Sequence, residues 1–222
     1  GNASVPALQK RMIKLARSLD KVTITATQMM ESMMVNPVPT RAEVSDVANA
    51  VHDGTDAVML SAETAAGKYP VETVEAMAQI CVEAEHAEEF KLDADFSNRH
   101  FGRIDQAIAM GALFTAYHLG CKAILALTES GSTALWMSRY RIHTPIFGLT
   151  TQPVTQRRMA LYRNVRPLLM PNYGDRDAAL SAAEKILVDR GVLKPGDTYA
   201  ITCGEPMGYP GGTNMLKVCR VA

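Results

Sequence analysis

The sequence lacks long apolar runs, an excess of charge of either sign, and a large share of aromatic residues. No apolar run approaches the roughly 18 residues that suggest a membrane span. Lys plus Arg and Asp plus Glu number 23 each in 222 residues, so the formal net charge is zero. This balance excludes a strong overall field for nucleic acid or an anionic membrane surface, although a local basic cluster could still matter. The bulk properties favour a soluble metabolic protein.

Cysteine is also scarce. Cys81, Cys121, Cys203 and Cys219 form no Cys-x-x-Cys pair, and no histidine lies at zinc-finger spacing beside them. We therefore expect no structural zinc site at these cysteines, and reduced, mostly buried thiols rather than disulfides. The first residues, 1–6, contain no initiator Met and no charged-then-apolar leader, so we expect the sequence to begin inside a longer one.

Nucleotide-binding signatures are missing as well. Gly-x-Gly-x-x-Gly does not occur. Segment 62–69 is close to a P-loop, but it lacks the opening Gly, and Tyr69 replaces the Ser or Thr that would hold magnesium. Both motifs are therefore excluded.

What is present is an alternation of helical and strand patterns that falls into two parts. The first part predicts helices and strands in the order αβαβα, which calls for parallel strands covered by helices. Its elements are a helix at 5–19, strands at 22–27 and 57–60, a helix capped by Thr40 and Glu43 and ended by Gly54, and a helix opened by Pro70. A charged stretch without periodicity, 87–103, is typical of an inter-domain connection.

A second alternation follows and predicts a complete α/β domain over 104–222, after a first domain over 1–86. Its helices are predicted at 105–119, 132–140, 154–162 and 177–190, and its strands at 123–127, 145–149, 166–170, 198–203 and 215–221.

Two strand ends in the first part carry polar side chains. Thr27 ends the first strand, and Ser61 and Glu63 follow the second. Ligands gather at the carboxyl ends of strands in α/β architectures, where hydroxyls and a carboxylate can position a substrate or relay a proton. Thr27 and Ser61 could equally cap the helices that follow. Position alone leaves the two interpretations open.

One turn in the second part favours an anion site. Residues 128–133 read TESGST between a strand and a helix, so hydroxyls and backbone N–H groups converge at a helix N-terminus. The candidate phosphate-binding residues are Thr128, Ser130, Gly131, Ser132 and Thr133, and a helix cap with a tight turn is the alternative. The glycine-rich stretch 204–213 is either a lid on the same pocket or a plain hairpin loop.

Several strings together resemble the pyruvate kinase family over essentially the whole chain. They are long, ungapped and in family order: ITATQMMESM at 24–33, NPVPTRAE at 36–43, DVANAV at 46–51, DGTDAVMLSAET at 53–64 and GKYP at 67–70. The resemblance continues through 128–133 and 212–214.

The resemblance implies a fold and a reaction. It implies α/β architecture: the last two strands of a (β/α)₈ TIM barrel followed by a separate, effector-binding α/β domain. It implies a cytoplasmic, usually homotetrameric enzyme of glycolysis that transfers a phosphoryl group from phosphoenolpyruvate to ADP, giving pyruvate and ATP, with Mg²⁺ and K⁺. In this sequence Thr27 matches the substrate-contacting threonine, Ser61 and Glu63 match a pair lining the same pocket, and Arg41 matches an arginine near the active site.

The same resemblance implies that other parts of the site lie upstream of residue 1. These are the magnesium carboxylates, the catalytic lysine, the phosphate-binding arginine and the potassium ligands. Phosphoryl transfer depends on metal and cationic stabilisation of the moving charge. We therefore expect these 222 residues alone to be inactive. A stand-alone phosphometabolite-binding module is the alternative, but such a module would not need Thr27 and Glu63.

The effector turn departs from relatives regulated by fructose bisphosphate. Those relatives favour a basic residue where Glu129 stands and Arg where Ser132 stands. A carboxylate in place of an ammonium repels a second phosphate. The sequence therefore predicts a monophosphate effector, such as a sugar phosphate or AMP.

Overall fold

The computed structural model describes residues 4–26, 29–87 and 100–222. The chain forms two compact units, 1–89 and 90–222. The predicted connection, 87–103, lies largely outside the described residues. No helix in the described ranges is long and apolar enough to cross a membrane.

The first unit contains a two-stranded parallel sheet and four α-helices within the described ranges. Its elements are α1 (Val5–Ser18), β1 (Ile24–Ala26), a 3₁₀ helix (Glu31–Met34), α2 (Arg41–Asp53), β2 (Ala57–Met59), α3 (Ala62–Ala65) and α4 (Pro70–His86). Ile24 pairs with Ala57 and Ala26 with Met59, so both strands end at the same edge.

Local chemistry explains the bounds of α2. The Thr40 hydroxyl accepts from the Glu43 N–H, and the Glu43 carboxylate accepts from the Thr40 N–H, so the predicted capping box is confirmed. Gly54 ends the helix at φ 92°, a left-handed conformation that glycine adopts without steric cost. The segment between β1 and α2 contributes methionines to the core of this unit. Met29, Met30 and Met33 are buried there with Val47 and Met77.

Helix α1 forms where the amphipathic pattern predicts it, but its apolar face is not the buried one. Its apolar stripe is exposed: Leu8, Met12 and Leu15 show 47%, 68% and 60% of their surface. Ile13 is the buried residue instead. The period of the pattern predicted the helix, but not what its apolar face would contact.

The second unit has a five-stranded sheet with the order β5-β4-β3-β6-β7. Its elements are α5 (Ile104–His118), β3 (Ala123–Leu127), α6 (Ser132–Ser138), β4 (Ile146–Thr150), α7 (Pro153–Met159), β5 (Val165–Leu169), α8 (Arg176–Asp189), β6 (Thr198–Gly204) and β7 (Thr213–Arg220). Strands β3 to β6 are parallel, and β7 returns antiparallel to β6.

The core of the second unit lies on the central strands. β3 and β4 are buried along their whole length, as expected for parallel strands with helices on both faces. On one face Leu125 and Leu149 belong to the same buried cluster as Leu180 and Leu187 of α8. This packing brings the carboxyl ends of the four parallel strands to one edge of the sheet.

Candidate functional site

In the first unit, the carboxylate of Glu63 connects the two chain segments that follow β1 and β2. It is buried, with 5% of the residue exposed. One oxygen accepts from the Ser61 N–H at 2.7 Å, and the other lies 3.5 Å from the Met30 N–H. Two backbone groups that are 31 residues apart therefore converge on one side chain, which fixes the end of β2 against the segment that enters the 3₁₀ helix.

The other residues predicted at this edge take different positions. Ser61 is exposed and precedes α3, but its side chain makes no capping hydrogen bond, so the cap interpretation has no support at this residue. Arg41 is exposed at the first position of α2, on a different element from Glu63. Thr27 lies outside the described residues. The structure thus brings Ser61 and Glu63 together and leaves Arg41 separate from that contact.

The residues at this edge do not fit a metal site as they stand. The described parts of the chain contain no group of three or more His, Cys, Asp or Glu that could hold an ion. The oxygens of Glu63 face backbone N–H groups, which are donors and not the further oxygen ligands that Mg²⁺ requires.

In the second unit, a cavity of about 360 Å³ lies at the carboxyl ends of the parallel strands. Residues at or just after the ends of β3, β4, β5 and β6 contribute to its walls: Leu127, Thr128, Glu129, Leu149, Thr150, Thr151, Met170, Cys203 and Gly204. Burial raises the pKa of the Cys203 thiol, so this side chain is uncharged near neutrality. This is the edge where open α/β sheets bind ligands.

The five candidate phosphate-binding residues divide between the cavity and its surroundings. Thr128 lines the cavity, and its hydroxyl accepts from the Gly131 N–H at 3.0 Å. Ser130 and Ser132 share a hydrogen bond of 3.1 Å, and Thr133 bonds Thr213 at 2.7 Å. Ser130, Gly131, Ser132 and Thr133 are not among the residues that line this cavity.

The glycine-rich stretch forms a hairpin loop, 205–212, between β6 and β7, and also one wall of the cavity. The stretch is thus a hairpin loop, and it lies beside the cavity, as the lid interpretation requires. Pro206, Met207, Gly208, Tyr209 and Gly211 are its cavity-lining members. The side chain of Asn214 closes the loop base: it accepts from the Glu205 N–H at 2.9 Å and donates to the Glu205 carbonyl at 2.7 Å.

Sequence reasoning missed much of the polar lining. Thr150 is the last residue of β4 and Thr151 follows it, and Asn172 and Tyr173 lie in the segment after β5. For Thr150 and Thr151 the sequence contains the signal that points to Thr128, namely polar residues at the end of a buried strand.

Glu129, which sequence reasoning singled out, lies in the cavity wall. Its carboxylate accepts from the Thr151 hydroxyl at 3.2 Å and from the Gln152 side-chain amide at 3.4 Å. No cation from the described residues pairs with it. The cavity therefore contains a fixed negative charge held by neutral donors.

The fold and the cavity define a class: a two-unit α/β protein with a cavity at the carboxyl ends of the parallel strands of its second unit. Comparison with known proteins gives the family. Residues 1–74 match the model for the pyruvate kinase barrel domain, and residues 106–219 match that for the pyruvate kinase alpha/beta domain. The chain belongs to the pyruvate kinase family.

Individual relatives agree. The chain is 46% identical over all 222 residues to the pyruvate kinase of Buchnera aphidicola subsp. Baizongia pistaciae and 47% identical to pyruvate kinase II of Salmonella typhimurium. It covers 46% of each, so it spans about half the length of the curated relatives it matches. The crystal structure of a Cryptosporidium parvum pyruvate kinase superposes with a TM-score of 0.90 at 31% identity, over 99% of this chain and 44% of that one. The predicted barrel remnant followed by an α/β domain is confirmed.

Proposed function

We propose that this chain supplies part of a pyruvate kinase that transfers the phosphoryl group of phosphoenolpyruvate to ADP. The observation that carries the proposal is the match to proteins of that name over the whole chain, at 46–47% identity. In this proposal Mg²⁺ and K⁺ are bound by the longer enzyme, which is a cytoplasmic homotetramer. The metals would stabilise the charge on the transferred group.

The first unit would contribute one wall of the substrate pocket. Glu63 holds the backbone at the end of β2, and the exposed Ser61 hydroxyl stands beside it. We assign substrate contact to Thr27, whose hydroxyl would help to protonate the enolpyruvate carbon, and we assign Ser61 and Glu63 to the lining of the same pocket. Glu63 and Arg41 are the other predicted catalytic residues. Glu63 would act by holding the backbone of Ser61 and Met30 in position.

We expect no turnover from the 222 residues alone, because the family resemblance implies that the metal ligands and the cationic groups for the moving phosphoryl group lie in other parts of the enzyme. A lactate dehydrogenase-coupled assay of the purified chain, with both metals, phosphoenolpyruvate and ADP, should give no pyruvate above background. The same assay on a longer protein that contains this chain should give turnover, which Glu63→Gln reduces about 10- to 100-fold. Turnover by the 222 residues at the rate of an intact relative would refute the assignment of these roles.

The cavity of the second unit would bind an effector with a single phosphate. Its size suits a small phosphometabolite, and hydroxyl and amide groups line it. The carboxylate of Glu129 has no cationic partner in the described chain, so a second phosphate placed near it would be repelled. A sugar monophosphate or AMP fits these constraints better than fructose 1,6-bisphosphate.

Calorimetry of the chain with ribose 5-phosphate, AMP and fructose 1,6-bisphosphate tests this assignment. We expect either monophosphate to bind at least about tenfold more tightly than the bisphosphate. Glu129→Gln should reduce this difference in affinity, because it removes the charge that repels the second phosphate. Glu75→Gln, an exposed carboxylate of the first unit, is the matched control. Tight bisphosphate binding by the unmodified chain would refute the assignment.

A stand-alone binding module without catalysis is a second candidate, and the built cavity of the second unit favours it. The two candidates differ in one result. If a longer protein containing this chain binds a monophosphate but gives no turnover in the coupled assay, the result supports the binding module and contradicts the enzyme.

A further inference from the structure

Arg103 and Asp105 form a paired site at the start of α5. The guanidinium donates two hydrogen bonds to the two carboxylate oxygens, at 3.0 and 2.8 Å. Asp105 is buried with 2% of its side chain exposed, whereas the Arg103 side chain is 57% exposed. The Asp105 carboxylate also accepts from the Gln106 N–H at 3.0 Å. A buried carboxylate with this bonding holds its arginine in one orientation, because the two-point geometry leaves little freedom.

The guanidinium contacts two other elements of the same unit. It lies over the ring of Trp136 in α6, 5.1 Å from the centroid, within cation–π range. It also lies against the backbone of Gly211, where an added Cβ would be 2.9 Å from Arg103 Nη2 and 3.4 Å from Asp105 Oδ2. Gly211 has φ 73°, a left-handed conformation that glycine adopts without steric cost.

Gly211 belongs to the 205–212 loop, which is one wall of the cavity. The loop base is held by Asn214, and an exposed ion pair joins Glu205 to Arg176. These contacts hold the first residue of the loop. The Arg103–Asp105 pair contacts the opposite end, next to the cavity-lining Gly211. The remaining residues are therefore positioned by contacts at both ends.

We propose that Arg103 is a positioning residue that holds the 205–212 loop in place as a wall of the cavity, and that Trp136 reports this contact. The pair faces three elements at once: α5, α6 and the loop. A ligand that displaces the loop must act on this contact, and removing the guanidinium must loosen the loop while leaving the sheet unchanged. The part concerning ligands rests on the proposed effector function, whereas the part concerning the loop does not.

The first experiment needs no ligand. Hydrogen exchange compares the substitutions Arg103→Ala and Arg103→Lys with a control, Lys185→Ala. The control breaks an exposed ion pair of α8. The Gly212 N–H bonds the Tyr209 carbonyl within the loop, so its exchange reports loop opening. We expect about tenfold faster exchange at Gly212 in Arg103→Ala, an intermediate value in Arg103→Lys and no change in the control. Exchange of the Leu125 N–H, in the central strand, should not change in any of them.

Trp136 is the single tryptophan of the chain, which gives a second readout. Acrylamide should quench its emission more strongly in Arg103→Ala than in the unmodified chain, because the guanidinium no longer covers the ring. Unchanged Gly212 exchange and unchanged quenching in Arg103→Ala would overturn the proposal. Equal acceleration at Gly212 and Leu125 would also overturn it, since that result indicates a loss of global stability.

The ligand arm uses AMP and ribose 5-phosphate. Binding should slow Gly212 exchange and change Trp136 emission, and Arg103→Ala should weaken the affinity about tenfold. If the unmodified chain binds neither compound, the proposed effector function fails and the loop result stands on its own. If both proteins bind with the same affinity, the loop is not part of the ligand site, and the inference about ligands is overturned.

Discussion

Replacing Glu43 by Gln tests whether one carboxylate organises the segment before α2. Its oxygens accept four hydrogen bonds: from the N–H and hydroxyl of Ser32 at 2.7 and 2.6 Å, and from the N–H and hydroxyl of Thr40, both at 2.8 Å. Partial burial acts to raise the pKa of Glu43, but the bonds from Ser32 and Thr40 outweigh it and lower the pKa below the ordinary 4.5. The amide of Gln has one acceptor oxygen and no charge. We expect a loss of about 1–3 kcal/mol in the free energy of unfolding of this unit.

The sign of the pH dependence follows from the lowered pKa. Between the folded and unfolded pKa values the unfolded chain binds more protons, so this contribution is present above pH 4.5 and is lost as pH falls through the folded pKa. Glu43→Gln should therefore flatten the decline in stability on the acid side. Trp136 lies in the other unit, so the measurement is urea unfolding followed by far-UV circular dichroism, with exchange of the Ser32 N–H as a local readout. Glu75→Gln is the control. A loss below about 0.5 kcal/mol, or an unchanged acid slope, would refute the reasoning.

Three further predictions concern single contacts. Gly67→Ala should destabilise the first unit by about 1–3 kcal/mol in chemical unfolding. The reason is that an added Cβ would lie 2.3 Å from the Glu63 carbonyl oxygen, a backbone atom that cannot rotate away. An unchanged stability would contradict this prediction and mean that the turn shifts. A double-mutant cycle of Thr133→Val and Thr213→Val should give a coupling of about 0.5–1.5 kcal/mol for their 2.7 Å bond, and strict additivity would contradict it. Burial raises the pKa of Cys203, so a thiol reagent at pH 8 should modify it only after unfolding, and rapid labelling of the native chain would contradict this.

Features set by local chemistry could be predicted from the sequence. The capping box of Thr40 and Glu43 and the glycine stop at Gly54 needed no tertiary information, and both occur where expected. Strands were predicted at 123–127 and 145–149, and β3 and β4 occupy Ala123–Leu127 and Ile146–Thr150, buried throughout. The short α3 and the 3₁₀ helix were missed, because four residues are too few to show a period.

Features set by distant contacts could not be predicted in this way. The bond from the Met30 N–H to Glu63 joins residues 33 apart, and nothing local to either one indicates it. The exposed stripe of α1 shows the same limit, since a period predicts a face but not its partner. The cavity combines Thr150 with Gly211, and only the strand order brings such residues together. The contact of Arg103 with Gly211 depends on that same order.

The bonds of Asn214 to the main chain of Glu205 have a consequence for redesign. The Asn214 side chain, near the start of β7, bonds the first residue of the loop. These bonds should keep β6 and β7 in register when the loop residues between them are substituted. Residues 206–210 could therefore be randomised to alter the lining of the cavity while the sheet serves as an unchanged scaffold. Asn214 itself would have to be kept, since without it a substitution in the hairpin could shift how the last two strands align.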